Sequence, residues 1–246
     1  MIRLDAATVL LQWSTGGLLF GWYTNRNRDV GPGYAKLLRL VYAAFAVVAV
    51  VSGVRYGIVP VREIAAGALA LAALVTYRNT LPRRDLIAPV IGVIGLIAAG
   101  IVAARDSSSF DVAVSLARVL VGAAFLGSVS DAMLLGHWYL VQPGMPRRLI
   151  NELIAVVLWI WPAEIAVLLL PTGMVSVLNG SVDDGWNVFL GWFWLASAIV
   201  TGALVVVTRA ALKERSYSAV MAATGLMYLA ILTAFCTDIV ARALLA

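Results

Sequence analysis

Eight long apolar runs joined by short loops limit this chain to one kind of fold. They cover residues 6–23, 37–59, 64–77, 86–104, 112–141, 149–171, 186–208 and 217–241. A helix that crosses a bilayer needs about 20 mainly apolar residues, and most of these runs supply them. The third is short and draws on residues from Val61 onward; the fifth is long enough to tilt or to project from the membrane. Of the 246 residues, 62% are hydrophobic and 13% charged, against roughly 45–50% and 25% in soluble domains. A soluble interior of this size cannot hide so much apolar surface. The expected fold is an all-α, polytopic membrane bundle of about eight spans, forming one domain over residues 1–246.

The loop charges orient that bundle. Arg26, Arg28, Lys36 and Arg39 follow the first run, and Arg78, Arg83 and Arg84 the third. Arg147 and Arg148 follow the fifth, and Arg209, Lys213 and Arg215 the seventh. These are twelve of the eighteen basic residues, and short basic loops stay on the cytoplasmic side. Both termini are therefore expected outside, in the inner membrane of a bacterium. The net charge of +5 is spent on topology, so no nucleic-acid partner is expected. The first run lacks a basic leader and a small-residue cleavage site, and is read as a retained helix.

Packing signals are weaker. Gly17 to Gly21 and Gly53 to Gly57 have the spacing that lets membrane helices approach closely, although 21 glycines also produce such spacings by chance. The third run is rich in alanine, which calls for another element lying tightly along it. Leu-Leu-Phe-Gly-Trp-Tyr at 18–23 and Leu-Leu-Gly-His-Trp-Tyr at 134–139 end the first and fifth runs. They suggest a parallel four-plus-four duplication with halves 1–111 and 112–246. On that reading Gly21 corresponds to Gly136. The alternative is that interfacial Trp-Tyr pairs recur independently.

Chemistry concentrates in residues 127–148. Asp131 lies inside an apolar run, where a carboxyl group is costly and marks a functional site by default. His137, the only histidine, is followed by Trp138, Tyr139 and a Pro-Gly turn. Asp131 and Trp138 share one helical stripe and His137 lies on another. The four are candidates for holding a quinone; the competing roles are an interhelical hydrogen bond for Asp131 and an interfacial anchor for His137. Expected polar partners of Asp131 are Gln12, Ser14 and Thr15, Thr224 or Tyr228, and the Asn151–Glu152 pair. In the sixth run Pro162 frees a backbone carbonyl, with Trp159 and Trp161 before it and Glu164 just beyond. Arg118 lies in the same half of the bundle, about 7 Å away in depth and within reach of its side chain, and Arg118 with Glu164 is the expected buried ion pair, met directly or through water. Asp238 and Arg242 are read as ordinary residues of a helix end.

One cysteine, Cys236, excludes an intrachain disulfide and a c-type haem attachment, and a single histidine excludes bis-histidine haem. No P-loop, nucleophile elbow, zinc-protease or dinucleotide motif is present, so no catalytic or metal-ligating residue is assigned and enzymatic activity is left undecided. The expected role is a membrane subunit of a bacterial respiratory or other electron-transfer complex. It would anchor membrane and extrinsic partner subunits and contact quinone and phospholipid, with no cofactor held by this chain alone. The alternatives are a proton-coupled secondary transporter and a non-catalytic assembly subunit.

Overall fold

The computed structural model describes residues 5–78, 81–105 and 108–245, and within them the protein is all-helical. In chain order the helices are α1 (Ala6–Asn25), α2 (Pro32–Tyr56), α3 (Pro60–Val75) and α4 (Ile87–Ala103). They continue with α5 (Ser109–Val141), α6 (Arg148–Leu169), α7 (Gly173–Leu178), α8 (Phe189–Ala211) and α9 (Tyr217–Leu245). A 3-10 turn, Pro82–Leu86, leads into α4. The boundaries follow local chemistry. Asp5 caps α1 by accepting from the Thr8 amide at 3.2 Å, prolines open α2 and α3, and Ser108 with Asp111 forms a capping box on α5. Pro162 sits inside α6 without ending it.

Every one of the eight apolar runs is helical, and α7 is an addition within the loop after α6. Six helical segments are long and apolar enough to cross a membrane: α2, Pro82–Ala103, α5, α6, α8 and α9. They mark a multi-pass membrane protein. Of the eight expected spans, α1 and α3 are not among these six. The 16 residues of α3 reach about 24 Å, short of the ~30 Å hydrocarbon core. α1 has the length, but it buries Thr8, Gln12, Ser14, Thr15, Thr24 and Asn25 and so fails on apolarity.

α1 is instead the axis of the bundle. Fourteen of its 20 residues are buried, because it packs against α2, α4 and α5 at once. Its contact with α5 is backbone on backbone. A Cβ on Gly16 would stand 1.7 Å from the Ala123 carbonyl oxygen, and one on Gly127 would stand 2.1 Å from the Gly16 carbonyl carbon. Glycine is required at both positions. Gly17 and Gly21 serve α2, making room for the Tyr42 ring and for Leu38. The second glycine pair does not act as a pair, since nothing lies within 4 Å of a Cβ on Gly57. The alanine-rich α3 does receive a close neighbour: Gly95 of α4 lies against Ala65, and Gly92 against Leu69.

Each half makes the same circuit of neighbours. α1–α2, α2–α3, α3–α4 and α4–α1 are in contact in the first half, and α5–α6, α6–α8, α8–α9 and α9–α5 in the second. Ion pairs fix which helix ends lie together. Arg26 meets Glu152 at 2.9 Å and Arg148 meets Asp29 at 2.6 Å, while Arg147 donates to the Glu214 carbonyl at 2.6 Å. The basic loops thus share one end of the bundle. At the far end Arg62 meets Asp5 at 2.5 Å, and Asp5 and Leu245 line one cavity. The first and last described segments therefore lie together, opposite the basic loops.

Candidate functional site

Two buried polar centres lie along α5, one toward each end. The first is built on Asp131, which is fully buried within a stretch, Phe125 to Ala132, that is buried all round. Thr24 of α1 donates to its Oδ2 at 2.5 Å and Tyr34 of α2 to its Oδ1 at 2.5 Å. The Gly16–Gly127 contact explains the choice of partners. It sets position 131 level with about position 20 of the parallel α1, one helical turn of about 5.4 Å short of Thr24. The Tyr34 ring lies 5.6 Å from the Trp138 ring, and Trp138 crosses the first turn of α2 against Gly33. Nearer the crossing, Trp13 donates to Ser130 Oγ at 2.6 Å and packs between Phe45 and Phe235. Among the described residues, the Tyr42 hydroxyl and Thr15 Oγ1 are buried with no hydrogen-bond partner.

The second centre joins α5, α6 and α9. Arg242 donates through Nε to both Asp238 oxygens, at 2.8 and 2.9 Å, and through Nη2 to the Arg118 carbonyl at 2.8 Å. Asp238 and Glu164 are both fully buried. Glu164 lies beside Asp238, Arg242 and Arg118, yet neither of its carboxyl oxygens has a donor among the described residues. Gln12 reaches in from α1, donating to the Val119 carbonyl at 2.8 Å. Gly122 opens the space: a Cβ there would meet Arg242 at 2.4 Å, Gln12 at 2.5 Å and Asp238 at 2.9 Å. A cavity of about 110 Å³, lined by Asp5, Thr8, Ser115, Arg118 and Arg242 among others, opens beside it at the far end.

Several expectations are corrected by this geometry. Arg118 and Glu164 do not meet directly. Arg118 donates to the main-chain carbonyls of Val167, at 3.2 Å, and Leu170, the acceptors left open where α6 ends. Asp238 and Arg242, read as ordinary end residues, are the ion pair of this centre; their spacing of four on one helix was the available signal. None of the partners expected for Asp131 reaches it: Gln12 and Ser14 donate to main-chain carbonyls, Thr15 Oγ1 has no partner among the described residues, Glu152 pairs with Arg26, and Thr224 bonds within its own helix while packing on Gly136. Thr24 and Tyr34 take their place. Asp131 and Trp138 do share the protein-facing side of α5. His137 is exposed on another side, edge-to-face with Tyr228 at 6.3 Å, and Tyr139 donates to the Pro146 carbonyl at 2.8 Å, anchoring the turn. The four candidate ligand residues therefore do not face a common space. Among the described residues no group of three His, Cys, Asp or Glu side chains could hold a metal ion.

Comparison with known proteins gives no match to any family model, to any curated protein or to any solved structure.

Proposed function

We propose that this chain is a proton-coupled secondary carrier of a small molecule, embedded in the bacterial inner membrane. The observation that carries this reading is the pair of buried carboxyl centres, Asp131 and Glu164–Asp238, at opposite ends of α5 and both reached by polar residues of α1. Carboxyl groups enclosed within membrane helices are the usual material of proton relays. Between the two centres run Gln12, Thr15, Tyr42 and Ser130, all buried, so hydroxyl and amide groups continue the column. Glu164 without a donor is the acceptor that an arriving proton would satisfy, and protonated it can donate to Asp238.

In this reading all eight long helices span, α1 because protein encloses its polar groups and α3 by adjusting the bilayer at its ends. The basic loops face the cytoplasm and both termini face outward. The repeated circuit of neighbours supports a parallel duplication of halves 1–111 and 112–246. In such carriers one half rocks against the other around a midplane site, and here the α1–α5 crossing is the pivot.

Purified protein in liposomes loaded with a pH-sensitive dye tests the proposal. A panel of small organic anions and amino acids is added outside under an imposed potassium diffusion potential. At least one compound should drive internal pH change, and Asp131→Asn and Glu164→Gln should abolish it while leaving the fold intact. Compound-independent signals, or variants equal to wild type, would sink the carrier reading.

A subunit of an electron-transfer complex is the second reading, with His137 toward quinone and other subunits as partners. It is favoured by the exposed His137–Tyr228 pair on the bundle exterior, where a quinone head group or a partner helix could reach. Native purification bringing metal-containing subunits with the chain would support it over the carrier.

A further inference from the structure

The basic end of the bundle holds a cavity of about 460 Å³ between the start of α2 and the α3–α4 connection. Four basic side chains line it, Arg28, Lys36, Arg39 and Arg78, with Asp85 as its one acid and Asn25 at its inner edge. Arg39 is built into the wall. Its side chain is 7% exposed, it donates to the Tyr77 carbonyl at 2.9 Å and it meets Asp85 at 2.7 Å. That pair uses the negative charge of the wall. Arg28, Lys36 and Arg78 form no ion pair among the described residues, whereas Arg26 and Arg148 at the same end each meet a carboxylate.

Local backbone adds to the positive field. α2 begins at Pro32 behind Gly31, which provides no side-chain cap, and residues of that first turn line the cavity. A helix of 25 residues presents partial positive charge there. Arg28 holds a left-handed backbone, φ 60°, sparsely used by residues with a side chain, in the tight turn Asn25–Arg28.

We infer that this cavity is a binding site for a phosphate-bearing anion. Two guanidinium groups and an ammonium group more than offset the charge of about −1.5 to −2 on a phosphate monoester, and the volume exceeds what a bare phosphate needs. The phosphate can belong to a lipid headgroup, since basic pockets between membrane helices on the cytoplasmic side take acidic headgroups, or to a soluble compound. The site does not depend on the carrier reading, because none of its residues belongs to the two carboxyl centres.

The test uses the full chain in phosphatidylcholine nanodiscs, titrated calorimetrically with inorganic phosphate. In parallel, phosphatidylglycerol retained by protein purified from mixed lipid is counted by mass spectrometry. The site variant is Lys36→Gln with Arg78→Gln. The control is Lys213→Gln with Arg215→Gln, an equal charge change in another basic loop; both are checked for monodisperse elution. Phosphate binding weakened at least about tenfold in the site variant alone assigns a soluble ligand. Phosphatidylglycerol retention lost in the site variant alone, without phosphate binding, assigns a lipid headgroup. Absence of both signals in the wild type, or equal loss in both variants, overturns the site.

Discussion

Tyr34 and Asp131, 97 positions apart, meet at 2.5 Å in the interior of the bundle. The tyrosine donates to one carboxyl oxygen while Thr24 donates to the other at 2.5 Å. Two helices, α1 and α2, thus converge on an acid of a third, and each contributes one donor. Tyr34→Phe leaves Oδ1 without its donor in a fully buried site, a loss of about 1–3 kcal/mol. Thermal unfolding in detergent should show a clear fall in midpoint for Tyr34→Phe and a smaller one for Asp131→Asn, which retains one carbonyl acceptor. A midpoint unchanged in Tyr34→Phe would mean that the hydroxyl is not committed to Asp131.

The α1–α5 crossing tolerates no side chain on its glycines. Gly127→Val should lower stability by about 1–3 kcal/mol or prevent assembly, since the backbone of Gly16 occupies the space a Cβ needs. Gly225 in α9 has nothing within 4 Å of a Cβ, so Gly225→Ala should be neutral or stabilising by up to about 1 kcal/mol. Similar behaviour of the two variants on size exclusion and thermal unfolding would contradict the crossing.

Arg242 is the cation that makes the buried Asp238 tolerable. Arg242→Ala should destabilise by about 3–5 kcal/mol, the usual consequence of leaving one partner of a buried pair alone. Combining it with Asp238→Asn should recover much of the loss, and a double variant no better than the single would show that the pair is not the reason. Glu164→Gln removes no hydrogen bond made by the described residues, so it should fold normally, with a thermal midpoint equal to wild type; on the carrier reading it should also lose the liposome signal.

Asp184 gives a pH dependence outside the spanning segments. It is buried before α8, which pushes its carboxyl group up. Backbone N–H donors of Trp186, Leu190, Val188 and Gly191 outweigh that and hold it below the ordinary carboxylate range. Three of these bonds measure 2.8 to 2.9 Å. A depressed folded value means that the contribution is complete above the unfolded value of about 3.9. It is lost as pH falls through the folded value. The stability gap between wild type and Asp184→Asn should therefore stay constant from neutral pH to about 5 and shrink below about 3.9. A gap that widens on acidification would refute the cap.

The sequence by itself determined the class of solvent, the helical segments and the end of the bundle that carries the cations, for apolar run length and loop charge are local properties. It also marked Asp131 as a residue needing protein around it, because a lipid-facing acid costs about 2.5–3.5 kcal/mol on insertion scales. It did not reveal which residues would surround that acid. Partners depend on depth and rotation, and both are set where Gly16 meets Gly127, a contact between two helices more than a hundred positions apart. A shift of one helical turn there would have exchanged Thr24 for other α1 residues. The same holds at the far end, where Arg118 and Glu164 have compatible depths but the closing carbonyls of α6 take Arg118 and α9 brings its Asp238–Arg242 pair beside Glu164. His137 and Asp131 are six positions apart on one helix, and only the tertiary packing around that helix left one exposed and enclosed the other. Periodicity determines which face a residue shares; tertiary contacts decided what each face meets.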